Sequence, residues 1–345
     1  MFRRCAAVAF ELIFFLLGVA LAWLTLRDVF DTVVVPGGSR ASLQVTRRSG
    51  RFLLQLYKLL PGRRGISSTF APLVLVSSFV IWMSLLALAF GLMAYGAGEH
   101  FDPPIRTFGD AVYEAGGALL TVGLSPHYPR GAGRWIVLAA GFCGLAVMTM
   151  AVTYLLEVQS SITRRDIGII KLNTSSGDPP SALTLLERFA AIHNERALAS
   201  ILEEARTWCA TVRQSHSAHP SLIYFKSTST GAGWPAALGA LLDLALIAEH
   251  LIDDESLYGP AILLREEGAQ MAKDLATIIG LNPTQTKTDE AELVQLAERL
   301  AGSGYQLRAN PNLLAMASQR TQQRSYVDAL SEHLGRPTAV LVRQS

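Results

Sequence analysis

The sequence contains few charged residues and few cysteines. Only 17% of its 345 residues are charged, against about 25% in ordinary soluble domains, so it contains either membrane spans or an unusually large core. The three cysteines, Cys5, Cys143 and Cys209, are isolated and have no CxxC or Cys/His spacing. Zinc modules and disulfide scaffolds are therefore excluded, and a net charge of +2 excludes a basic field for nucleic acid.

Sequence motifs of catalysis and nucleotide binding are absent as well. No strand pattern is followed by GxGxxG, and neither GxxxxGK[ST] nor GxSxG occurs. His216 and His219 are three residues apart, but no third metal ligand accompanies them, and we interpret both as surface or loop residues. We therefore expect a protein that is not an enzyme and that has no resident cofactor or metal.

The first half of the chain contains three apolar runs long enough to cross a bilayer. They are Val8–Leu26, Phe70–Gly96 and Trp135–Leu156, and about 20 apolar residues suffice to cross about 30 Å of hydrocarbon. A cleaved signal peptide is the alternative for the first run, because Arg3 and Arg4 precede it. No small-x-small cleavage site follows that run, so three spans are the preferred interpretation.

The distribution of lysine and arginine predicts the orientation of these spans. Residues 27–65 hold eight Lys/Arg residues, so this loop is expected on the cytoplasmic side, and residues 97–134 are expected to face outward. The C-terminal half is then cytoplasmic, in a multi-pass protein of the cell membrane. An apolar face at residues 52–60 predicts an interfacial helix or a plain positive anchor. Three acidic residues near the ends of the first span are interpreted as solvated interfacial charges, with pairing to arginines of the loop as the alternative: Glu11, Asp28 and Asp31.

The outward loop contains a stretch that is unusually apolar. Ala115–Pro129 has no Asp, Glu, Lys or Arg and lies between two spans. Thr107 is a suitable N-cap for a helix from Phe108 to about Leu119, which would be too short to cross the bilayer. Such a helix is tolerated at membrane depth only where protein or a water-filled cavity surrounds it. The sequence therefore predicts a re-entrant pore helix.

A short motif follows the predicted pore helix. It consists of Thr121, Val122, Gly123, Leu124, Ser125 and Pro126. On these residues, and over roughly Phe70 to Arg165, the chain resembles the pore-loop potassium channel family. The resemblance implies an outer helix, a pore helix, a filter and an inner helix, with four copies around one pathway for potassium. It also implies that the filter residues line this pathway and that the inner helix bends at Gly141 or Gly144. Because the motif departs from the family's filter, sodium is a second candidate among the monovalent cations.

The motif departs from the family's filter, which reads Thr-Val-Gly-Tyr-Gly-Asp. Leu124 replaces the tyrosine of that motif, Ser125 replaces its second glycine, and Pro126 replaces its aspartate. Leu124 cannot supply the phenolic hydrogen bond that fixes the family's filter width, and a left-handed residue other than glycine costs about 1–2 kcal/mol. We therefore expect a cation channel with an altered, less selective filter. The alternative is a non-conducting, channel-like sensor or scaffold that acts through its cytoplasmic half.

The predicted fold is mainly α, with three transmembrane helices and a re-entrant pore helix followed by a mostly helical cytoplasmic domain. We assign residues 1–66 to the first helix and the basic loop, residues 67–163 to the pore domain and residues 164–345 to the cytoplasmic domain. The expected partners are the lipid bilayer, further copies of the chain in a homotetramer, and an unidentified cytoplasmic ligand or protein.

Helical periodicity continues through the C-terminal half. Residues 181–213 fit one long amphipathic helix or a bent pair, and residues 222–225 fit a short strand or a packed turn. The nearly apolar run at residues 234–248 is short for a fourth span, and we interpret it as a buried core helix. Helices are predicted over Pro235–Ile252, Gly259–Ile279, Asp289–Leu300 and Pro311–Leu334, the last with Asn310 as its N-cap and Gly335 after its end.

Overall fold

The computed structural model describes residues 2–35, 70–227, 231–283 and 288–342, together with Arg48 and Phe52. The chain divides into two compact units, and the boundary between them falls between Glu157 and Val158. Apart from Phe52, the interfacial helix predicted at residues 52–60 lies outside the described residues.

Helices make up most of the first unit. α1 (Phe2–Val33), α2 (Phe70–Gly96) and α4 (Ala132–Ser176, up to Glu157 in this unit) are long and apolar enough to cross a membrane, whereas α3 (Phe108–Leu119) is too short. The prediction of a mainly α fold with three spanning helices is confirmed. α1 runs past the predicted end at Leu26 because the next helix-breaking residues in the sequence are Pro36 and Gly37.

A two-stranded ribbon brackets α3. β1 (Phe101–Asp102) pairs antiparallel with β2 (Tyr128–Pro129), so the two ends of the segment that contains α3 lie side by side. The segment between α2 and α4 is thereby closed on itself, which positions α3 beside these two helices.

Small residues let the helices of the first unit approach closely. A Cβ atom added at Gly96 in α2 would lie 2.5 Å from the Glu11 carbonyl oxygen in α1, and one added at Gly18 would lie 2.5 Å from the Ala89 carbonyl oxygen. α2 contacts α3 in the same way, where Gly91 faces Val112. Close backbone contact at small residues is typical of helices that associate inside a bilayer, where dispersion rather than the hydrophobic effect holds them together.

Asp28 in α1 is fully buried, so its interpretation as a solvated interfacial charge is wrong. Its carboxylate accepts a hydrogen bond of 2.9 Å from the indole Nε1 of Trp82 in α2. Sequence spacing gives no sign of this contact, because the two residues are 54 positions apart. Asp31 pairs at 3.7 Å with Arg27, one helical turn earlier.

The second unit is an all-helical bundle over the residues that the structure describes beyond Val158. Residues 181–213 contain two helices separated by a 3-10 turn at Glu195–Ala197 rather than one long helix, so the bent-pair alternative is confirmed. The bundle contains the end of α4 followed by α5 (Ala182–Ala191), α6 (Leu198–Ala218), α7 (Gly233–His250), α8 (Glu255–Ile278), α9 (Glu290–Gly302) and α10 (Leu313–Leu334).

α7 is the centre of this bundle, and the prediction of a buried core helix is confirmed. Every residue from Gly233 to Glu249 is buried, including Asp243. Arg320 donates to the Asp243 carboxylate at 2.8 Å and Arg324 at 3.0 Å. Burial alone would raise the pKa of Asp243, but the two guanidinium groups outweigh burial and hold that pKa below its ordinary value.

Buried contacts also fix the last part of α4 within the second unit. The Arg165 side chain is fully buried, and it donates at 3.3 Å to the Leu222 carbonyl oxygen and at 3.3 Å to Ser227 Oγ. Its own carbonyl oxygen accepts a hydrogen bond of 2.9 Å from Trp208 Nε1. Gly168, almost one turn later, leaves the space that the Trp208 ring occupies.

Three local predictions in the second unit need correction or refinement. The N-cap of α10 is Asn312 rather than Asn310, because the chain makes a turn at Pro311 before the helix begins. Residues 220–224 form a 3-10 turn, which confirms the packed-turn alternative. His216 is completely buried in α6 rather than at the surface, and burial and the nearby Arg165 lower its pKa to about 3.

Candidate ion pathway

α3 begins and ends where the sequence predicts. The Thr107 hydroxyl accepts a hydrogen bond of 3.1 Å from the Asp110 backbone N–H and donates one of 2.7 Å to the Asp110 carboxylate. These contacts satisfy backbone groups at the helix N-terminus that have no partner inside the helix. With 12 residues, α3 is about 18 Å long, and a helix of this length cannot cross the bilayer.

The backbone leaves the helical path immediately after α3. Thr121 has a left-handed backbone with φ 57°, and Gly123 has φ 70°. The Thr121 N–H still bonds to the Ala118 carbonyl oxygen at 3.0 Å, and the Val122 N–H bonds to the Gly117 carbonyl oxygen at 2.9 Å. The left-handed backbone predicted for Gly123 is therefore present, whereas the left-handed threonine is unexpected and costs about 1–2 kcal/mol.

The predicted filter residues point away from the body of the single chain. Residues 120–124 are all exposed, and 66% of the Leu124 surface and 56% of the Val122 surface are accessible. Soluble parts of a protein rarely leave consecutive apolar residues uncovered in this way. The Thr121 hydroxyl donates to the Leu120 carbonyl oxygen at 2.7 Å, so it remains beside the backbone of the same segment.

Ser125 is set differently from the four predicted filter residues before it. Its hydroxyl donates to the carboxylate of Glu114, a residue of α3 that is only 4% exposed. The same hydroxyl accepts a hydrogen bond of 3.0 Å from the His127 backbone N–H, and His127 Nδ1 lies 2.7 Å from the Pro103 carbonyl oxygen. Burial raises the pKa of Glu114, and the nearby His127 opposes that rise.

The sequence alone does not mark Glu114 as a functional candidate, because the residue lies in the segment 97–134 that is expected to face outward. One signal was available. Glu114 is the acidic residue that directly precedes the uncharged stretch from Ala115 to Pro129, so a helix through it places its carboxylate beside that stretch.

Gly141 and Gly144, the predicted hinge positions, lie in an unbroken part of α4 and face the end of α3. A Cβ atom added at Gly144 would come far inside contact distance of the Leu119 carbonyl oxygen, well under 3.0 Å. A Cβ added at Gly141 would lie 3.5 Å from the Ala118 carbonyl oxygen, an ordinary contact. The two glycines therefore differ, because only Gly144 is required for the close approach of α4 to α3.

α4 has two opposite faces in the first unit. One face is buried and packs on the core of the unit through small and medium residues: Gly133, Ile136, Ala140, Gly144 and Val147. The other face is exposed, and its residues recur at alternating intervals of three and four: Trp135, Leu138, Phe142, Leu145, Thr149, Val152 and Leu156. Such spacing places one continuous, largely apolar stripe along the helix.

Charged residues of the loops around α3 pair with one another. Arg106 lies 3.3 Å from Glu99, and Arg130 pairs with Asp102. Among the residues that the structure describes, no group of three or more His, Cys, Asp or Glu side chains is arranged to hold a metal ion. The chemistry of this region therefore depends on backbone groups, hydroxyls and the buried carboxylate of Glu114.

Comparison with known proteins supports an ion channel domain in this part of the chain. Residues 72–160 match a protein-family model described as an ion channel. The match includes nearly all of α2, the whole of α3, the candidate filter and the first part of α4. No curated protein and no solved structure matches the chain.

Proposed function

We propose that several copies of this chain form a cation channel in which Thr121, Val122 and Gly123 line the pathway. One observation carries the proposal: a capped helix too short to span the membrane is followed, two residues after its end, by a left-handed Thr121, and residues 120–124 are exposed on the single chain. That segment stands between two spanning helices, within the residues that match an ion channel.

Exposure of the filter residues supports an assembly rather than a single-chain pore. In a single chain, residues 120–124 are exposed, and so is the largely apolar stripe of α4. Copies related by rotation about one axis would bring these segments together around a common pathway. The proposed number of copies is four, which rests on the resemblance to pore-loop potassium channels.

The polarity of α3 favours a cation at its end. The C-terminal end of a helix carries about half a negative charge, and α3 ends at Leu119 beside the proposed filter. Backbone carbonyl oxygens of a filter replace the water around an ion. Leu124, Ser125 and Pro126 replace the outer half of the potassium filter, so we propose that potassium and sodium both pass.

The membrane and the orientation are part of the proposal. The concentration of Lys/Arg at residues 27–65 supports the cytoplasmic membrane with the second unit on the cytoplasmic side. There the helical unit would bind a ligand or protein that controls the channel.

Cation flux into liposomes tests the proposal. Purified full-length protein should carry potassium and sodium, and Gly123→Ala should abolish most of this flux. A Cβ at Gly123 meets nothing within 4 Å, so the substitution acts through its positive φ alone.

Gly116→Ala is the matched control. Gly116 lies inside α3, and an added Cβ there also meets nothing within 4 Å, but its backbone is helical. Unchanged flux in this variant, together with loss in Gly123→Ala, supports the filter assignment. Equal flux in both variants contradicts it, and a wild type that carries no cation would favour the non-conducting sensor instead.

A further inference from the structure

The residues just after the proposed filter are held by two different parts of the first unit. Ser125 bonds to the Glu114 carboxylate on α3, 11 residues earlier in the chain. His127 bonds through Nδ1 to the Pro103 carbonyl oxygen in the segment that precedes α3. Ser125 and His127 are also joined to each other, because the His127 backbone N–H donates to Ser125 Oγ at 3.0 Å.

Glu114 has the surroundings of a residue that positions another group. It is buried on α3, whose capped first turn and packed end fix its location. A buried carboxylate that loses its hydrogen-bond donor is costly, so the Ser125 hydroxyl is strongly favoured at this position. The contact fixes the distance between α3 and the backbone two residues beyond Gly123.

Leu124 does not fix that distance. Its side chain is 66% exposed on the single chain and has no hydrogen-bonding group. Among the side chains that follow Thr121–Gly123, the Ser125 hydroxyl is therefore the nearest that attaches this segment to α3.

From this geometry we propose that Glu114 and Ser125 form a clamp that sets the position of the filter backbone and thereby determines which monovalent cations pass. The inference rests on the proposed channel function. Glu114 and Ser125 act as positioning residues, because their hydrogen bond holds the Gly123–Ser125 backbone rather than touching the ion.

Relative permeability is the decisive measurement. The fluxes of sodium, potassium, rubidium and caesium are compared in liposomes that contain full-length protein. Ser125→Ala and Glu114→Ala should each change at least one permeability ratio by about fivefold or more. Ser125→Thr keeps the hydroxyl and should retain the wild-type ratios, as should Glu99→Gln, a control at an exposed glutamate near α3.

Thermal unfolding of the full-length protein in detergent provides a second measurement that does not need conduction. If the two side chains bond, the losses caused by Ser125→Ala and Glu114→Ala should be clearly non-additive in the double variant. Additive losses would overturn the clamp.

The two proposals fail in distinguishable ways. A conducting wild type whose permeability ratios are unchanged in both alanine variants overturns the clamp and leaves the channel function intact. A wild type without flux overturns the channel function and with it the role of the clamp in selectivity, and non-additivity in unfolding then decides whether the contact exists.

Discussion

Asp28 of the first unit and Asp243 of the second unit are both almost completely buried, and different groups stabilise them. Asp28 of the first unit accepts a hydrogen bond from the indole of Trp82. Asp243 of the second unit, only 1% exposed, is paired with the guanidinium groups of Arg320 and Arg324. Trp82 is a neutral donor to Asp28, whereas Arg320 and Arg324 bring positive charge to Asp243.

The surroundings of the two units account for this difference. Inside a bilayer, an additional arginine at mid-depth costs about 2.5–3.5 kcal/mol on insertion scales, so a neutral indole is the less costly donor. In a helical bundle, arginines can enter from α10 because their stems pack on apolar neighbours. Contacts between spanning helices then depend mainly on small residues, whereas the second unit combines an apolar core with a buried ionic network.

The largest expected effect is the loss of Asp243. Asp243→Ala removes the carboxylate that the buried guanidinium groups of Arg320 and Arg324 share and leaves them the more distant Glu292 and Asp328. We expect the free energy of unfolding to fall by about 3–5 kcal/mol. Chemical unfolding of the full-length protein measures this. Glu298→Ala, at an exposed glutamate of α9, is the control and should change stability by less than about 0.5 kcal/mol. Equal effects would contradict the structural role of the network.

The next largest effect separates Gly144 from Gly141. Gly144→Ala forces a Cβ onto the Leu119 carbonyl oxygen and should destabilise the first unit by about 1–3 kcal/mol and reduce flux. Gly141→Ala has ordinary contacts and should remain near wild type in both measurements. If Gly141→Ala alone reduces flux, the bending role is supported over the packing role.

A smaller loss is expected when the donor to Asp28 is removed. Trp82→Phe keeps most of the ring packing but deletes the indole N–H, and we expect a cost of about 1–2 kcal/mol in thermal unfolding. Trp23→Phe is the matched control, because Trp23 lies on an exposed face of α1. A larger loss for Trp82→Phe than for Asp243→Ala would reverse the comparison between the two aspartates.

The smallest effect concerns pH. Because the pKa of Asp243 is lowered in the folded protein, its stabilising contribution is complete above the unfolded pKa of about 3.9 and is lost as the pH falls through the folded pKa. The stability difference between wild type and Asp243→Asn should therefore be constant from pH 7 to pH 5 and should shrink below about pH 4. A difference that shrinks above pH 5 would contradict this assignment.

Local sequence signals predicted much of the fold. Thr107 with Asp110 and the apolar spacing after them define α3, and Gly335 marks the end of α10 with φ 63°. The apolar run at residues 234–248 is too short to cross a bilayer easily, which correctly predicts a buried core helix. Each of these features depends on residues within one or two helical turns of one another.

Contacts between distant residues could not be predicted from these signals. Asp28 meets Trp82 across 54 positions, and His216 becomes buried because Trp234 covers it from another helix. Glu114 and Ser125 are closer in sequence, but their contact depends on the left-handed turn at Thr121, which propensity disfavours. The candidate filter motif is visible in the sequence, whereas the contacts that hold it in place are not.

Gly144 of α4 lies so close to the Leu119 carbonyl oxygen of α3 that no side chain fits between the two helices at this point. If α4 bends at Gly144, the last turn of α3 has to move with it, because the backbones of the two helices are in close contact at this point. In the proposed channel, bending of α4 would therefore also move the residues proposed as the filter. The opening of the proposed channel and its choice of ion would then both depend on this one backbone contact.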